Sequence, residues 1–177
     1  MLGLPMTDMR TILARFATVK ILVVDDEYYM RKVVRTLLMS IGVRNIYEAS
    51  DGPAGLEFIR SSPPDILIVD WEMPGLDGAA FVRMVRSPQT FPYPDIPIIM
   101  LTGHGERSRV VEAVSIGVNE FLLKPVSSKS LQDRLVAVLA KPRPMVQQGN
   151  YYGPAPRKLG NVKADDDAAV ANLVMLN

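Results

Sequence analysis

The most constraining feature of the sequence is a regular alternation between short apolar runs and amphipathic segments across residues 20–140. Three of the runs contain no polar residue, and they lie at 21–24, 66–69 and 98–101. Such runs are typical of central strands in a parallel sheet that helices cover on both faces. Two shorter and more mixed runs, at 45–49 and 120–123, suit outer strands. The pattern predicts an α/β fold built from five strand–helix units, (βα)5.

The segments between these runs carry apolar residues at intervals of three and four, which is the spacing of one helix face. The clearest pattern covers residues 30–41, and Gly42 stops that helix. The other four patterns lie at 56–59, 81–85, 110–114 and 131–139. A helix is therefore predicted after each of the five strands.

Residues 1–18 form an N-terminal extension before the predicted sheet. Met9, Ile12, Leu13 and Phe16 are spaced as on one face of a short amphipathic helix. Apolar faces of this kind pack more often on a core than on a partner, so we expect the helix to fold back on the domain. If it does not, the face is a surface for self-association or for docking a partner.

Residues 141–177 follow the predicted domain of residues 19–140. The stretch 141–160 holds four prolines and three glycines, which predicts a linker or arm without regular structure. Within it, residues 151–158 combine tyrosines, prolines and basic residues, a composition suited to docking on a partner or on the domain itself. An acidic run at 165–167 before an apolar stretch predicts a short terminal helix.

The composition excludes several classes of function. The chain has no cysteine and one histidine, so it cannot contain disulfides, thiolate-bound zinc, an iron–sulfur cluster or a cysteine nucleophile. The formal net charge of +1 gives no polybasic footprint for nucleic acid. No apolar run approaches the roughly 18 to 20 residues that span a bilayer, and no basic segment marks a signal peptide. We therefore expect a cytoplasmic protein that binds neither nucleic acid nor membranes directly.

Polar residues stand at the ends of four predicted strands. Asp25 and Asp26 end the first strand, Asp70 the third, Thr102 the fourth and Lys124 the fifth. In a doubly wound sheet the loops after the strands meet at one edge, so these side chains are expected to share a site. Clustered carboxylates favour Mg²⁺, and a lysine and a hydroxyl beside them are suited to phosphoryl transfer. Asp70 stands alone opposite the acidic pair, which makes it the candidate nucleophile for an aspartyl-phosphate.

Four motifs at successive strand ends carry a resemblance to a known family. They are Asp25-Asp26, Asp70-Trp71-Glu72-Met73-Pro74 with Asp77-Gly78, Thr102-Gly103, and Lys124-Pro125. In this order and spacing they resemble the receiver domain of two-component response regulators, the CheY-like domain, over residues 20–140. The resemblance implies a flavodoxin-like fold with a five-stranded parallel sheet in the order 2-1-3-4-5. Because the residues after 140 are few and rich in proline, we expect a stand-alone receiver without a DNA-binding or enzymatic output domain.

The resemblance also implies roles for the acidic residues. Asp70 would accept the phosphoryl group from a phosphohistidine of a sensor kinase or of a histidine phosphotransfer protein. Asp26 and Asp70 would bind Mg²⁺ directly, together with the backbone carbonyl of Glu72. Asp25 would act on the ion through water.

Further roles follow from the same resemblance at the remaining strand ends. Lys124 would pair with the phosphoryl group, and its peptide bond to Pro125 would be cis. Thr102 would move inward to donate a hydrogen bond to a phosphoryl oxygen. Phe121 occupies the position of a switching aromatic residue, but it lacks the hydroxyl of the tyrosine that is common there.

Two residues are candidates for tuning the lifetime of the phosphoryl group. Glu72 lies two residues after Asp70, and His104 lies two residues after Thr102. By geometry they flank the path of the hydrolysing water, which they could screen, repel or orient. The sequence does not give the sign of that effect.

The expected output is a changed protein surface rather than a reaction on a metabolite, so we do not expect an enzyme beyond self-phosphorylation and autodephosphorylation. In the family that surface is the fourth helix, fifth strand and fifth helix, here residues 106–140, and it would bind an unidentified protein target. Whether the active form is a homodimer stays open.

One alternative function is a phosphate sink or scaffold in a relay. Another is an aspartyl-phosphate phosphohydrolase with Asp25 as nucleophile and Glu27 as acid. A nucleotide-binding flavodoxin-like protein is disfavoured because no glycine-rich loop follows the first strand.

Overall fold

The computed structural model describes residues 8–156, and their centre is a five-stranded parallel sheet. Its strands are β1 (Lys20–Val24), β2 (Asn45–Ala49), β3 (Ile66–Asp70), β4 (Ile98–Thr102) and β5 (Glu120–Leu123). The strand order is β2-β1-β3-β4-β5. The three continuous apolar runs are the inner strands, and the two mixed runs are the edges. The predicted doubly wound fold and its strand order are confirmed.

Six helices are present among residues 8–156. They are α1 (Met9–Arg15), α2 (Tyr28–Ser40), α3 (Gly52–Ser61), α4 (Gly78–Val85), α5 (Arg107–Ser115) and α6 (Ser128–Ala140). The side chains of Asp51, Asp77 and Ser127 accept main-chain N–H groups at the starts of α3, α4 and α6. None of the helices in this part of the chain is long and apolar enough to cross a membrane.

The core has two halves, one on each face of the sheet. Alternate strand residues such as Leu22 and Val24 pack with residues of α3, α4 and α5. Their neighbours Ile21 and Val23 pack with residues of α1, α2 and α6. Because both faces are covered, the inner strands need apolar residues at every position, which is why their sequences do not alternate.

The N-terminal extension contributes to one of these halves. Ile12 and Phe16 are buried in the core beneath α6, whereas Met9 and Leu13 are exposed. Arg15 Nη1 donates a hydrogen bond to Leu139 O at the end of α6, at 3.1 Å. Part of the apolar face therefore folds back on the domain, as expected from its spacing.

The segment after α6 differs from the prediction of an irregular linker. Residues 145–154 form an antiparallel hairpin of β6 (Met145–Gln148) and β7 (Tyr151–Pro154), which we call the C-terminal hairpin. The two strands are joined by a two-residue turn at positions 149 and 150. Gly149 adopts the positive φ, +58°, that such a turn requires. Pro144 lies just before β6 and Pro154 ends β7, and at these positions a missing N–H does not interrupt pairing. The terminal helix predicted after residue 165 lies outside the described residues.

Candidate functional site

Three carboxylates meet at the carboxyl edge of the sheet. Val24 of β1 and Val69 of β3 are register partners, so Asp25 and Asp70 follow side by side. Oxygen atoms of Asp25, Asp26 and Asp70 all lie within 4.8 Å of one another. Asp25 and Asp70 are almost completely buried, with 0% and 2% exposure. The structure thus brings together the three acids that the sequence placed at two different strand ends.

Burial sets the electrostatics of these acids. It raises the pKa of Asp25 to about 6, although the main-chain N–H of Glu27 donates to Asp25 Oδ1 at 2.8 Å and favours the charged form. Burial also raises the pKa of Asp70, against the opposing effect of Lys124. Asp25 Oδ2 and Asp26 Oδ1 are buried without a hydrogen-bond partner. Unpaired buried oxygens on close carboxylates are the atoms that a divalent cation would satisfy, so these residues could hold a metal ion.

Lys124 brings a positive charge to Asp70 from the end of β5. Its Nζ lies 2.6 Å from Asp70 Oδ1, in an ion pair at the side of the acidic cluster. Its main-chain N–H donates to Thr102 O at 2.8 Å, which fixes the start of the loop. Burial of the ammonium disfavours its charge, but the pairing with Asp70 outweighs this and raises the pKa of Lys124. The peptide bond between Lys124 and Pro125 is cis.

Thr102 and Phe121 lie on the neighbouring strands β4 and β5. Thr102 is buried at the end of β4, and its Oγ1 accepts a hydrogen bond from the main-chain N–H of His104 at 3.1 Å. Phe121 is the register partner of Met100, and its ring is buried in the core half that contains α5. The predicted switching ring is therefore in its inward position in this structure.

Glu72 and His104 are in direct contact at the rim of the site. His104 Nδ1 lies 2.7 Å from Glu72 Oε1, and both side chains are about half exposed. The contact connects the loop after β3 with the loop after β4. Sequence analysis placed both residues beside the path of water but did not predict that they touch.

The comparisons with known proteins agree with this geometry. Residues 21–136 match the sequence model of the response regulator receiver domain family. The chain belongs to that family. The receiver is 34% identical over 122 residues to the chemotaxis protein CheY of Pseudomonas aeruginosa, which covers 69% of this chain and 97% of that protein. It is 36% identical over 121 residues to the chemotaxis protein CheY1 of Helicobacter pylori, covering 68% of this chain and 96% of that protein.

Solved structures of related receivers have the same architecture. Chemotaxis protein CheY4 of Vibrio cholerae aligns with a TM-score of 0.62 and 31% identity, covering 68% of this chain and 98% of that one. A response regulator from Chloroflexus aurantiacus aligns with a TM-score of 0.63 and 31% identity, covering 70% of this chain and 98% of that one. Helix α1 and the C-terminal hairpin both lie outside residues 21–136, the part of the chain that the family model matches.

One contact beside Asp70 was missed by sequence analysis. Trp71 directly follows Asp70 and is buried, and the guanidinium of Arg109 lies 5.0 Å from the centre of its ring. This cation–π contact links α5 to the residue that follows β3. The sequence gives no signal for it because it depends on where α5 lies against the loop after β3.

Proposed function

We propose that this receiver accepts a phosphoryl group on Asp70 from a phosphohistidine of a sensor kinase or histidine phosphotransfer protein. The observation that carries the proposal is the setting of Asp70: a buried carboxylate, 2.6 Å from Lys124 Nζ and close to Asp25 and Asp26. Of the three acids, Asp70 is the one that an ammonium group contacts this closely among the described residues.

The transfer exchanges one bond to phosphorus for another. A carboxylate oxygen of Asp70 attacks the phosphorus, the bond to the donor histidine nitrogen breaks, and that nitrogen keeps the electron pair. Lys124 supplies positive charge beside the Asp70 carboxylate, where it would stabilise the charge on the transferring phosphoryl group. Hydrolysis breaks the acyl-phosphate bond: water attacks phosphorus, and the Asp70 carboxylate is the leaving group. The other product is inorganic phosphate.

The acidic cluster fits the Mg²⁺ that the family uses. Asp26 and Asp70 would hold the ion directly, with the main-chain carbonyl of Glu72, and Asp25 would act through water. The unpaired buried oxygens of Asp25 and Asp26 support this assignment. When bound, the ion neutralises charge on the phosphoryl oxygens and on the acids.

We further propose that phosphorylation changes the surface formed by α5, β5 and α6, which then binds a protein target. Thr102 and Phe121 would connect the site to that surface: the hydroxyl of Thr102 would turn to a phosphoryl oxygen, and the ring of Phe121 would change position. Such coupling is a shift in the populations of two states. The output is binding, and no metabolite is turned over.

Two alternative roles use the same chemistry differently. As a phosphate sink or scaffold, the receiver would be phosphorylated on Asp70 without a target of its own. As a phosphohydrolase it would use Asp25 as nucleophile and Glu27 as acid. The geometry favours this last role least, because Lys124 Nζ contacts Asp70 rather than Asp25, and the side chain of Glu27 is exposed at the start of α2.

Intact mass after incubation with Mg²⁺ and acetyl phosphate tests the proposal. We expect a single phosphoryl adduct that is lost with EDTA and in Asp70→Asn. The matched control is Asp133→Asn, which alters an exposed carboxylate on α6. An adduct that survives Asp70→Asn and disappears in Asp25→Asn would favour the phosphohydrolase instead. Absence of any adduct, in a folded protein that binds Mg²⁺, would contradict acceptance from a small donor.

A further inference from the structure

The turn between β1 and α2 carries two of the three acids of the site, and its main chain is held from two sides. On one side, Asp25 N donates to the carbonyl of Ala49, the last residue of β2, at 3.2 Å. On the other side, Nη1 of Arg31, in the first turn of α2, donates to Asp25 O at 2.8 Å and to Asp26 O at 3.3 Å. One nitrogen of Arg31 therefore contacts the main chain of both acidic residues.

Arg31 reaches the acid pair through these main-chain carbonyls, which we call the turn carbonyls. Within the described part of the chain, the carboxylate atoms Asp25 Oδ2 and Asp26 Oδ1 stay buried without a hydrogen-bond partner. Lys124 acts differently, because its Nζ lies 2.6 Å from a carboxylate oxygen of Asp70. Arg31 thus holds the backbone that carries two carboxylates, while two of their oxygens stay available to a cation.

The guanidinium of Arg31 is itself held in place. Its Nε lies 3.5 Å from Glu48 Oε1, and its side chain is only 13% exposed. The ring of Tyr28 lies beside it, with 5.6 Å between the guanidinium carbon and the ring centre. Glu48 directly precedes Ala49 in β2, so neighbouring residues of one strand hold Arg31 and Asp25. The turn, α2 and β2 are therefore joined through one side chain.

Lys32, the next residue of α2, provides a comparison within the same cluster. Its Nζ lies 3.6 Å from Glu48 Oε2 and 5.1 Å from the centre of the Tyr28 ring, so it shares both neighbours with Arg31. Its side chain is 46% exposed. The hydrogen bonds to the turn carbonyls come from Arg31. The two residues carry the same charge in similar surroundings, but Arg31 also holds the turn.

We infer that Arg31 is a positioning residue for the cation site: by holding the turn carbonyls it sets the direction of the Asp25 and Asp26 carboxylates and raises their affinity for Mg²⁺. The inference rests on the proposed function, to which Mg²⁺ belongs. Two effects of Arg31 on a bound cation have opposite signs, because its charge repels the ion whereas its hydrogen bonds organise the ligands. We expect the second effect to be larger, since contacts that hold metal ligands in place typically change affinity by about 10- to 100-fold.

Titration of the full chain with Mg²⁺, followed by the fluorescence of Trp71, tests the inference. Arg31→Met removes the charge and the hydrogen bonds together. Positioning predicts roughly tenfold weaker binding in this variant, whereas an effect of charge alone predicts tighter binding. Lys32→Met is the matched control, because it removes a charge beside Glu48 and leaves the turn carbonyls bonded. It should bind Mg²⁺ as tightly as the natural chain or slightly more tightly.

Arg31→Lys separates the geometry from the charge. The variant keeps a positive charge, but a single ammonium group cannot contact Glu48 and both turn carbonyls as the planar guanidinium does. Its affinity for Mg²⁺ should therefore lie between those of the natural chain and Arg31→Met. Urea unfolding without metal gives the folded fraction of each variant. Lower stability alone does not weaken binding to protein that stays folded, so a merely structural role would leave the titration unchanged.

Ca²⁺ serves as a second probe of the same site. It carries the same charge as Mg²⁺ but accepts a wider range of ligand geometries. Loss of positioning in Arg31→Met should therefore weaken binding of Mg²⁺ more than binding of Ca²⁺. An equal loss for both ions would overturn the inference, because the geometry of the site would then not be what Arg31 sets.

Three further results decide the inference. Binding of Mg²⁺ by Arg31→Met as tight as by the natural chain, or tighter, would overturn it. An equal weakening in Lys32→Met would also overturn it, because the hydrogen bonds to the turn carbonyls would not be the cause. If Arg31→Met does not fold, Arg31→Lys decides: weaker binding supports the inference and equal binding overturns it.

Intact mass after addition of acetyl phosphate separates this inference from the proposed function. A phosphoryl adduct on Asp70 in the natural chain, with unchanged affinity for Mg²⁺ in Arg31→Met, contradicts the inference and leaves the proposed function standing. Binding of Mg²⁺ without an adduct counts against the proposed function, and the titrations still decide the role of Arg31. If the natural chain binds no Mg²⁺, the metal site and the inference are both wrong.

Discussion

Glu72 Oε1 lies 2.7 Å from His104 Nδ1, so the side chains two positions after Asp70 and two positions after Thr102 form one unit. The two residues come from different loops, and their contact crosses the rim of the acidic site. We expect water that hydrolyses a phosphoryl group on Asp70 to approach across this rim. Their effects on hydrolysis are therefore expected to be linked.

We predict that Glu72→Ala and His104→Ala each shorten the half-life of the phosphorylated receiver. Either change removes the contact and opens the rim to water. A pair between half-exposed groups contributes about 0.2–1 kcal/mol, so the rate of hydrolysis should rise by up to about fivefold. Loss of the adduct with time, followed by intact mass, measures this.

The double variant should then be hardly faster than either single variant, because one removal already breaks the contact. Glu106→Ala, an exposed glutamate in the same loop as His104, is the control and should keep the natural half-life. Unchanged half-lives in both single variants would refute a role in lifetime, and additive changes would refute joint action.

We predict a pH-dependent loss of stability that originates at Asp25. Burial raises its pKa to about 6 from 3.8, so the folded chain binds this proton more tightly than the unfolded chain does. The stabilisation of the folded chain by protonated Asp25 is complete below about pH 4 and is lost as pH rises through about 6. Urea unfolding without metal should show the natural chain losing on the order of 2–3 kcal/mol relative to Asp25→Asn over this range.

Addition of Mg²⁺ at neutral pH should recover stability in the natural chain more than in Asp25→Asn, because the ion offsets the clustered charge. Asp133→Asn, at an exposed position on α6, serves as the control for loss of one carboxylate. Parallel stability curves for the natural chain and Asp25→Asn across this pH range would show that ionisation of Asp25 carries no such cost.

The sheet and the acidic site could be predicted from the sequence because each depends on local patterns. Continuous apolar runs identify strands covered on both faces, and residues directly after parallel strands must meet at one edge. The C-terminal hairpin could not be predicted in this way. Its prolines and glycines resemble those of a linker, and its stability comes from tertiary contacts with Gly117 and Asn119 that no local pattern reveals.

We predict that Lys124→Met slows phosphorylation from acetyl phosphate without removing the metal site. The substitution keeps an unbranched side chain that is one heavy atom shorter, and it removes the charge 2.6 Å from Asp70 Oδ1. Loss of one such stabilising group costs roughly 10²-fold in rate. The rate of adduct formation by intact mass measures the effect, and Mg²⁺ binding can be followed by the fluorescence of Trp71, the single tryptophan of the chain.

Lys129→Met, which removes an exposed lysine from α6, should phosphorylate at the natural rate. Mg²⁺ should bind Lys124→Met at least as tightly as the natural chain, because a competing positive charge is gone. An equal rate of adduct formation in Lys124→Met would show that this lysine does not stabilise the transferring group.

We predict that Gly78→Ala disturbs the acceptor more than any change at a neighbouring glycine. A Cβ at Gly78 would lie 2.3 Å from Asp70 O and 2.8 Å from Trp71 Cα, against backbone that cannot rotate away. Gly78 N also donates to Trp71 O at 2.8 Å, so the start of α4 and the end of β3 would have to separate. Overpacking of this kind costs about 1–3 kcal/mol of stability.

Gly103→Ala is the matched control, since a Cβ there meets nothing within 4 Å and the position also belongs to a loop of the site. Urea unfolding and the rate of phosphorylation should both change in Gly78→Ala and stay near the natural values in Gly103→Ala. Equal behaviour of the two variants would mean that the close approach of α4 does not position Asp70.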